Sequence, residues 1–170
     1  MRRQSRFWNN SVWFFIGMFV GMSFISQVQA YDENEDRYWL AMNMYFEAGN
    51  QSDAGRISVA LVTINRVNSW GWPNQIDQVV TQGPTYVNWK GNVFPIKNKC
   101  QFSWYCDGKP DIPEDSKTWE ECLKLANMIM DEGIYDFTHG STHYHNDKVD
   151  PYWNKHLKKT LTIDNHIFYK

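Results

Sequence analysis

The chain has 170 residues, a net charge of −2 and 16% aromatic side chains. That length holds one domain with at most a short extra segment, and the near-neutral balance excludes the basic field that nucleic-acid binding needs. The aromatic excess serves either a core or a groove that stacks rings on flat sugar faces, and composition alone does not separate the two.

In chain order, Arg2, Arg3 and Arg6 make a cationic start, an apolar run extends from Val12 to Ile25, and Val28-Gln29-Ala30 puts small residues where a signal peptidase reads. The run is short of the roughly 20 residues of a membrane span, so residues 1–30 read as a secretory signal, with an uncleaved signal anchor as the alternative. Either reading exports the domain to the periplasm or cell envelope. Membrane contact is then expected through this segment alone. Residues 31–36 read as a short acidic linker and residues 37–170 as the folded domain.

From Arg37 the pattern is helical, with Trp39, Met42 and Phe46 on one stripe, Leu40 and Met44 beside it, and Gly49-Asn50 as the stop. Ser52 caps a second helix to about Val67 that is apolar nearly all round, as a central buried helix is. Pro73 opens a short helix carrying Ile76, Val79 and Val80. Glycines and prolines between 83 and 114 mark a long loop of the kind that usually has a function. Thr118 and Glu121 make a capping box for a last helix with Trp119, Leu123, Ala126 and Met130 inside and Gly133 at its end. Alternation at Thr142–His145 and Thr160–Ile163 predicts short strands.

In an oxidising compartment Cys100 and Cys106 can be bridged across their short loop, and Cys122 then stays a buried thiol; pairing of Cys106 with Cys122 is the open alternative. Glu47 has the makings of a general acid. It sits on the last turn of the first helix above Leu40 and Met44, and both an apolar setting and a helix C-terminus raise a carboxyl pKa. Its plain alternative is a surface glutamate at a frayed end. No second carboxylate stands at glycosidase spacing: Asp53 suits a first helical turn, and Asp131 and Asp136 read as surface groups. A single acid suffices where a substrate hydroxyl is the nucleophile. His143 and His145 share a strand face, with His139, His156 and His166 near in sequence, but no zinc motif surrounds them and no metal or other cofactor is expected. Gln101-Phe102-Ser103-Trp104 mixes hydrogen-bonding groups with two rings, as sugar sites do, and the lack of a nucleophile elbow argues against Ser103 as a nucleophile.

Six segments in order carry a resemblance: Tyr45-Phe46-Glu47-Ala48, Gly55–Ala60 leading into Ile64-Asn65-Arg66-Val67, Cys100–Trp104, Asp136–His145, Pro151-Tyr152-Trp153 and His166–Tyr169. Together they make the chain from Arg37 to Lys170 resemble the SleB-type cell-wall hydrolases, the spore cortex-lytic enzyme family. The resemblance implies an α+β, mainly α, lysozyme- or lytic transglycosylase-like domain, with a small β element beside a substrate groove. It implies cleavage of peptidoglycan between N-acetylmuramic acid and N-acetylglucosamine, leaving 1,6-anhydro ends, with Glu47 as acid and then base. Gln101, Phe102, Ser103, Trp104, Thr142, Tyr144 and His145 would line the groove, with Trp153 beneath it. The expected partner is the glycan strand, bound by a monomer. A hydrolytic muramidase, a zinc amidase acting on the stem peptide and an inactive envelope binding protein are the alternatives. One departure stands out: the family's second glutamate, four residues after the first, is Gln51 here.

Overall fold

The computed structural model describes residues 32–170, which form one compact unit; the expected export segment lies outside the described residues. The first helix, α1 (Glu33–Ala48), begins inside the expected linker. Asp32 caps it by accepting from the Asn34 N–H at 2.9 Å, and Glu33, Glu35 and Asp36 fill the first turn, where the helix dipole favours acids. The acidic run is therefore a helix start and not a linker. Leu40, Ala41, Met42, Met44 and Ala48 are buried, with Trp39 and Phe46 packed against that core.

The second helix, α2 (Asp53–Val67), is the expected buried one, and Ser52 caps it through the Gly55 N–H. The short α3 (Ile76–Val80) buries Ile76, Val79 and Val80 but starts after Gln75, so Pro73 lies in the approach and not at the first turn. In α4 (Ser116–Glu132) the cap is Asp115, whose carboxylate accepts from the N–H groups of Lys117 and Thr118. The Thr118–Glu121 box does not form, because Thr118 lies inside the first turn with its N–H and hydroxyl both donating to Asp115, and Glu121 pairs with Arg56 at 2.8 Å. The buried stripe of α4 is Cys122, Leu125, Ala126 and Ile129, at helical spacing; Trp119, Leu123 and Met130 flank it. Helix α1 packs against the other three.

The long 83–114 segment contains more than loop. Strands β1 (Thr85–Val87) and β2 (Val93–Pro95) form an antiparallel hairpin, followed by a 3-10 turn over Ser103–Cys106. A disulfide joins Cys100 to Cys106, leaving Cys122 as a buried thiol whose pKa burial pushes up to about 11. At the C-terminal side, β3 (His143–Asn146), β4 (Lys159–Ile163) and β5 (His166–Tyr169) form an antiparallel sheet with β5 in the middle. Tyr144 pairs with the fully buried Phe168. Asp164, in the β4–β5 turn, accepts from the Ser52 N–H at 3.0 Å and its hydroxyl at 2.7 Å, which fixes the sheet against the start of α2. Gly55 leaves the room this requires, since a Cβ there would collide with the Asp164 carboxylate.

Candidate active site

Two helix ends and one strand meet around Glu47. The last turn of α1 carries Glu47, partly buried, and Gly49 after it has its carbonyl held by the Arg56 guanidinium at 2.7 Å. Strand β3 brings Tyr144, whose hydroxyl donates to Glu47 Oε2 at 2.9 Å. The Tyr144 ring is held by Phe168 at 5.6 Å and by the edge of His166 at 5.0 Å. The last turn of α2 carries Arg66, buried beside this pair. Its Nε–H donates to the Thr142 carbonyl at 2.7 Å, and its guanidinium carbon lies 4.4 Å from the Trp72 ring centre and 4.9 Å from that of Phe102. Rings on a cation's flat faces stabilise it without neutralising it. Arg66 Nη1 is buried and has no hydrogen-bond partner among the described residues.

The electrostatics follow from this burial. Loss of solvent pushes the Glu47 pKa up; the Tyr144 hydrogen bond and the Arg66 charge pull the other way without cancelling it. Burial pushes Arg66 down to about 10, against the attraction of its acidic neighbours. Tyr144 is raised by burial and by facing Glu47, so it stays a hydroxyl that donates. His143 is lowered by burial and by Arg66. Among the described residues the groups acting on the Glu47 carboxyl are Tyr144 and Arg66, and neither is a carboxylate.

The residues expected at the groove divide. Phe102 lies under Arg66, and Thr142 holds Arg66 through its carbonyl. Trp104 is turned into the core: it stacks on Phe46 at 4.7 Å and donates from Nε1 to Asn43 Oδ1 at 3.0 Å, so it is no groove wall. Gln101 and Ser103 are exposed, and no hydrogen bond among the described residues links either side chain to Glu47. His145 also falls on the wrong side, because adjacent strand residues point to opposite faces and Tyr144 takes the Glu47 side. Its Nδ1–H donates to the Asn146 carbonyl at 2.8 Å, leaving Nε2 to accept from the Tyr169 hydroxyl at 2.9 Å. Trp153 packs on His143, His145 and Tyr169, on that outer face and not beneath Glu47. Among the described residues no group of three or more His, Cys, Asp or Glu side chains gathers as metal ligands do.

Three residues of the site region escape sequence reasoning. Arg66 and Trp72 are the first two; the signal for Arg66 is a charge at the end of an otherwise apolar buried helix. The third, Asp136, reads from sequence as a surface group but organises the turn before β3. Burial alone would raise its pKa, yet hydrogen bonds from Thr138, Gly140 and Asn65 hold it below the usual range. Gln51 donates to Asn50 and takes no part in capping, which Ser52 performs alone.

A family model described as Cell Wall Hydrolase matches residues 50–169, a span that begins just after Glu47. Two solved catalytic domains share the fold. That of the Bacillus cereus SleB protein is 22% identical, covering 84% of this chain and 94% of that one with a TM-score of 0.58. That of Bacillus anthracis SleB, described as a germination-specific lytic transglycosylase, is 23% identical, covering 84% and 98% with a TM-score of 0.58. No curated protein matches the chain.

Proposed function

Because the chain belongs to the Cell Wall Hydrolase family and is a peptidoglycan hydrolase, we propose that Glu47 is its general acid and that it cuts the glycan strand by lytic transglycosylation. The observation that carries this reading is a partly buried carboxyl with a raised pKa, engaged by Tyr144 and Arg66 and by no second carboxylate among the described residues. Glycosidases that hydrolyse through a protein nucleophile or a base-activated water hold two carboxylates across the scissile bond. With one acid, the nucleophile belongs to the substrate.

The steps balance without water. Protonated Glu47 gives its proton to the oxygen linking N-acetylmuramic acid to N-acetylglucosamine, and the C1–O bond breaks as positive charge develops at C1. The carboxylate left behind is held by the Tyr144 hydroxyl and the Arg66 charge. It then takes the proton from the C6 hydroxyl of the same muramic acid as that oxygen attacks C1. The ring closes as a 1,6-anhydro end and Glu47 is again protonated. Phe102 acts from below, by seating Arg66. The lytic transglycosylase description of the Bacillus anthracis neighbour agrees with this chemistry, and export to the cell envelope as a monomer completes the reading.

Mass spectrometry of purified peptidoglycan digested by the domain tests it. Anhydro ends are expected. Reducing ends would make the enzyme a muramidase and freed stem peptides an amidase; the absence of any released fragment would leave a binding protein. Glu47→Gln should lower the rate by about 10²–10⁴-fold. Full activity in that variant sinks the assignment of the acid.

A further inference from the structure

The hairpin formed by β1 and β2 has no role in the chemistry above, yet it is the most apolar exposed part of the described residues. Trp89 at its tip is 89% exposed, and Val87 and Val93 are 65% and 62% exposed on one face. The opposite face presents Tyr86 stacked on Phe94 at 5.8 Å. The projection is preorganised. Asn88 Oδ1 accepts from the N–H groups of Lys90 and Asn92, and Gly91 takes the left-handed conformation that this turn needs. At the base, the Ile96 N–H donates to the Pro84 carbonyl and the Asn98 N–H to the Cys106 carbonyl, beside the disulfide.

Charge is collected here too. Between residues 85 and 109 lie Lys90, Lys97, Lys99 and Lys109 against the single acid Asp107, in a chain whose net charge is −2. Lys90 sits 4.8 Å over the Trp89 ring, while Asp107 pairs with Lys109 and also acts electrostatically on Lys97. A recess of about 220 Å³ under the Tyr86–Phe94 face is bordered by Lys97 and Lys109. A glycan platform would need one flat aromatic face. Apolar side chains on both faces, a tryptophan at the apex and a collar of lysines are instead what a segment dipping into a lipid interface requires.

We infer that this hairpin is a second membrane contact, inserting Trp89 and its apolar neighbours among the headgroups of an anionic lipid surface while the lysines meet lipid phosphates. The sequence assigns membrane contact to the N-terminal segment alone. Export, as expected from that segment, leaves the domain between lipid and wall, within reach of both. A hairpin hold on lipid would keep cleavage at the membrane-proximal layer of the wall.

Flotation of residues 32–170, which form a compact unit, with vesicles decides the matter. Binding is expected to phosphatidylcholine vesicles doped with phosphatidylglycerol, weaker binding to phosphatidylcholine alone, and loss of binding at raised salt. Trp89→Ser should weaken it about tenfold or more, and Lys90→Gln about fivefold. Val93→Ser is the substitute probe if either alters thermal unfolding. No flotation with the doped vesicles overturns the inference, as does flotation indifferent to all three substitutions. Substitutions that spare vesicles but weaken sedimentation with purified peptidoglycan would overturn it in favour of a glycan surface, and loss of a dimer would do so in favour of self-association. Glu47→Gln should float like the parent whether or not Glu47 is the acid, so the two assignments fail separately.

Discussion

The two ends of α2 each bury an arginine, and they use it in opposite ways. At the first turn Arg56 Nη1 is paired with Glu121 at 2.8 Å and Asp53 at 3.2 Å, and Nη2 with the Gly49 carbonyl at 2.7 Å. At the last turn Arg66 makes one bond to a carbonyl and is otherwise clasped by two rings. Each has one buried nitrogen without a partner among the described residues. The difference lies in the carboxylates: Arg56 is neutralised by acids that reach solvent, whereas Arg66 faces the Glu47 carboxyl, whose pKa burial raises. A neutralised cation ties elements together; an unneutralised one beside a proton donor stabilises the anion that appears when the proton leaves.

Substitutions at three positions can break or sharpen that contrast. The largest effect belongs to Arg66→Met, which should lower kcat by about 10²-fold with KM nearly unchanged. If Glu47 is the acid, as proposed, it works protonated, so activity should fall as pH rises through its pKa. Removing the cation raises that pKa, and the alkaline limb should move to higher pH, with Arg66→Lys restoring part of the shift. Tyr144→Phe should cost about tenfold and move the same limb the same way, because the lost hydrogen bond favoured the carboxylate. The smallest effect on turnover belongs to Arg56→Met. It should destabilise the fold by about 1–3 kcal/mol in denaturant titration while activity per folded molecule is kept. A large fall in kcat for Arg56→Met, or unchanged pH profiles for the other two, would remove the distinction between the two ends.

Features set by neighbours in the chain are legible from the residues alone. The Ser52 cap, the apolar α2 and the placing of Glu47 on the last turn of α1 all rest on local spacing, whereas the α+β class is what the family resemblance implies. The start of α4 is less legible, because Asp115 and Thr118 both suit a cap, and in the fold Asp115 takes the Thr118 N–H and hydroxyl while Glu121 turns to the distant Arg56. The β1–β2 hairpin escapes because both of its faces are exposed, which erases the alternation that marks a half-buried strand. Assigning Tyr144 and His145 to one groove conflicts with strand parity, the same rule that puts His143 and His145 on a common face. Trp104 goes inward because Asn43, a polar residue buried on α1, needs its indole N–H. Arg66 is easily passed over because a cation suits any helix C-terminus, and only the folded chain reveals what it faces.

Burial of Glu47 also has a thermodynamic side. Its folded-state pKa stands above the ordinary value of 4.5, so the folded form holds its proton to a higher pH than the unfolded chain does. The stability tied to that proton is fully present below the ordinary glutamate value and is lost as pH rises through the raised one. Above that raised value the domain is therefore less stable than its packing alone would make it. A glutamine at position 47 would carry no such penalty, and the Glu47→Gln variant should melt later than the parent at a pH above that raised value.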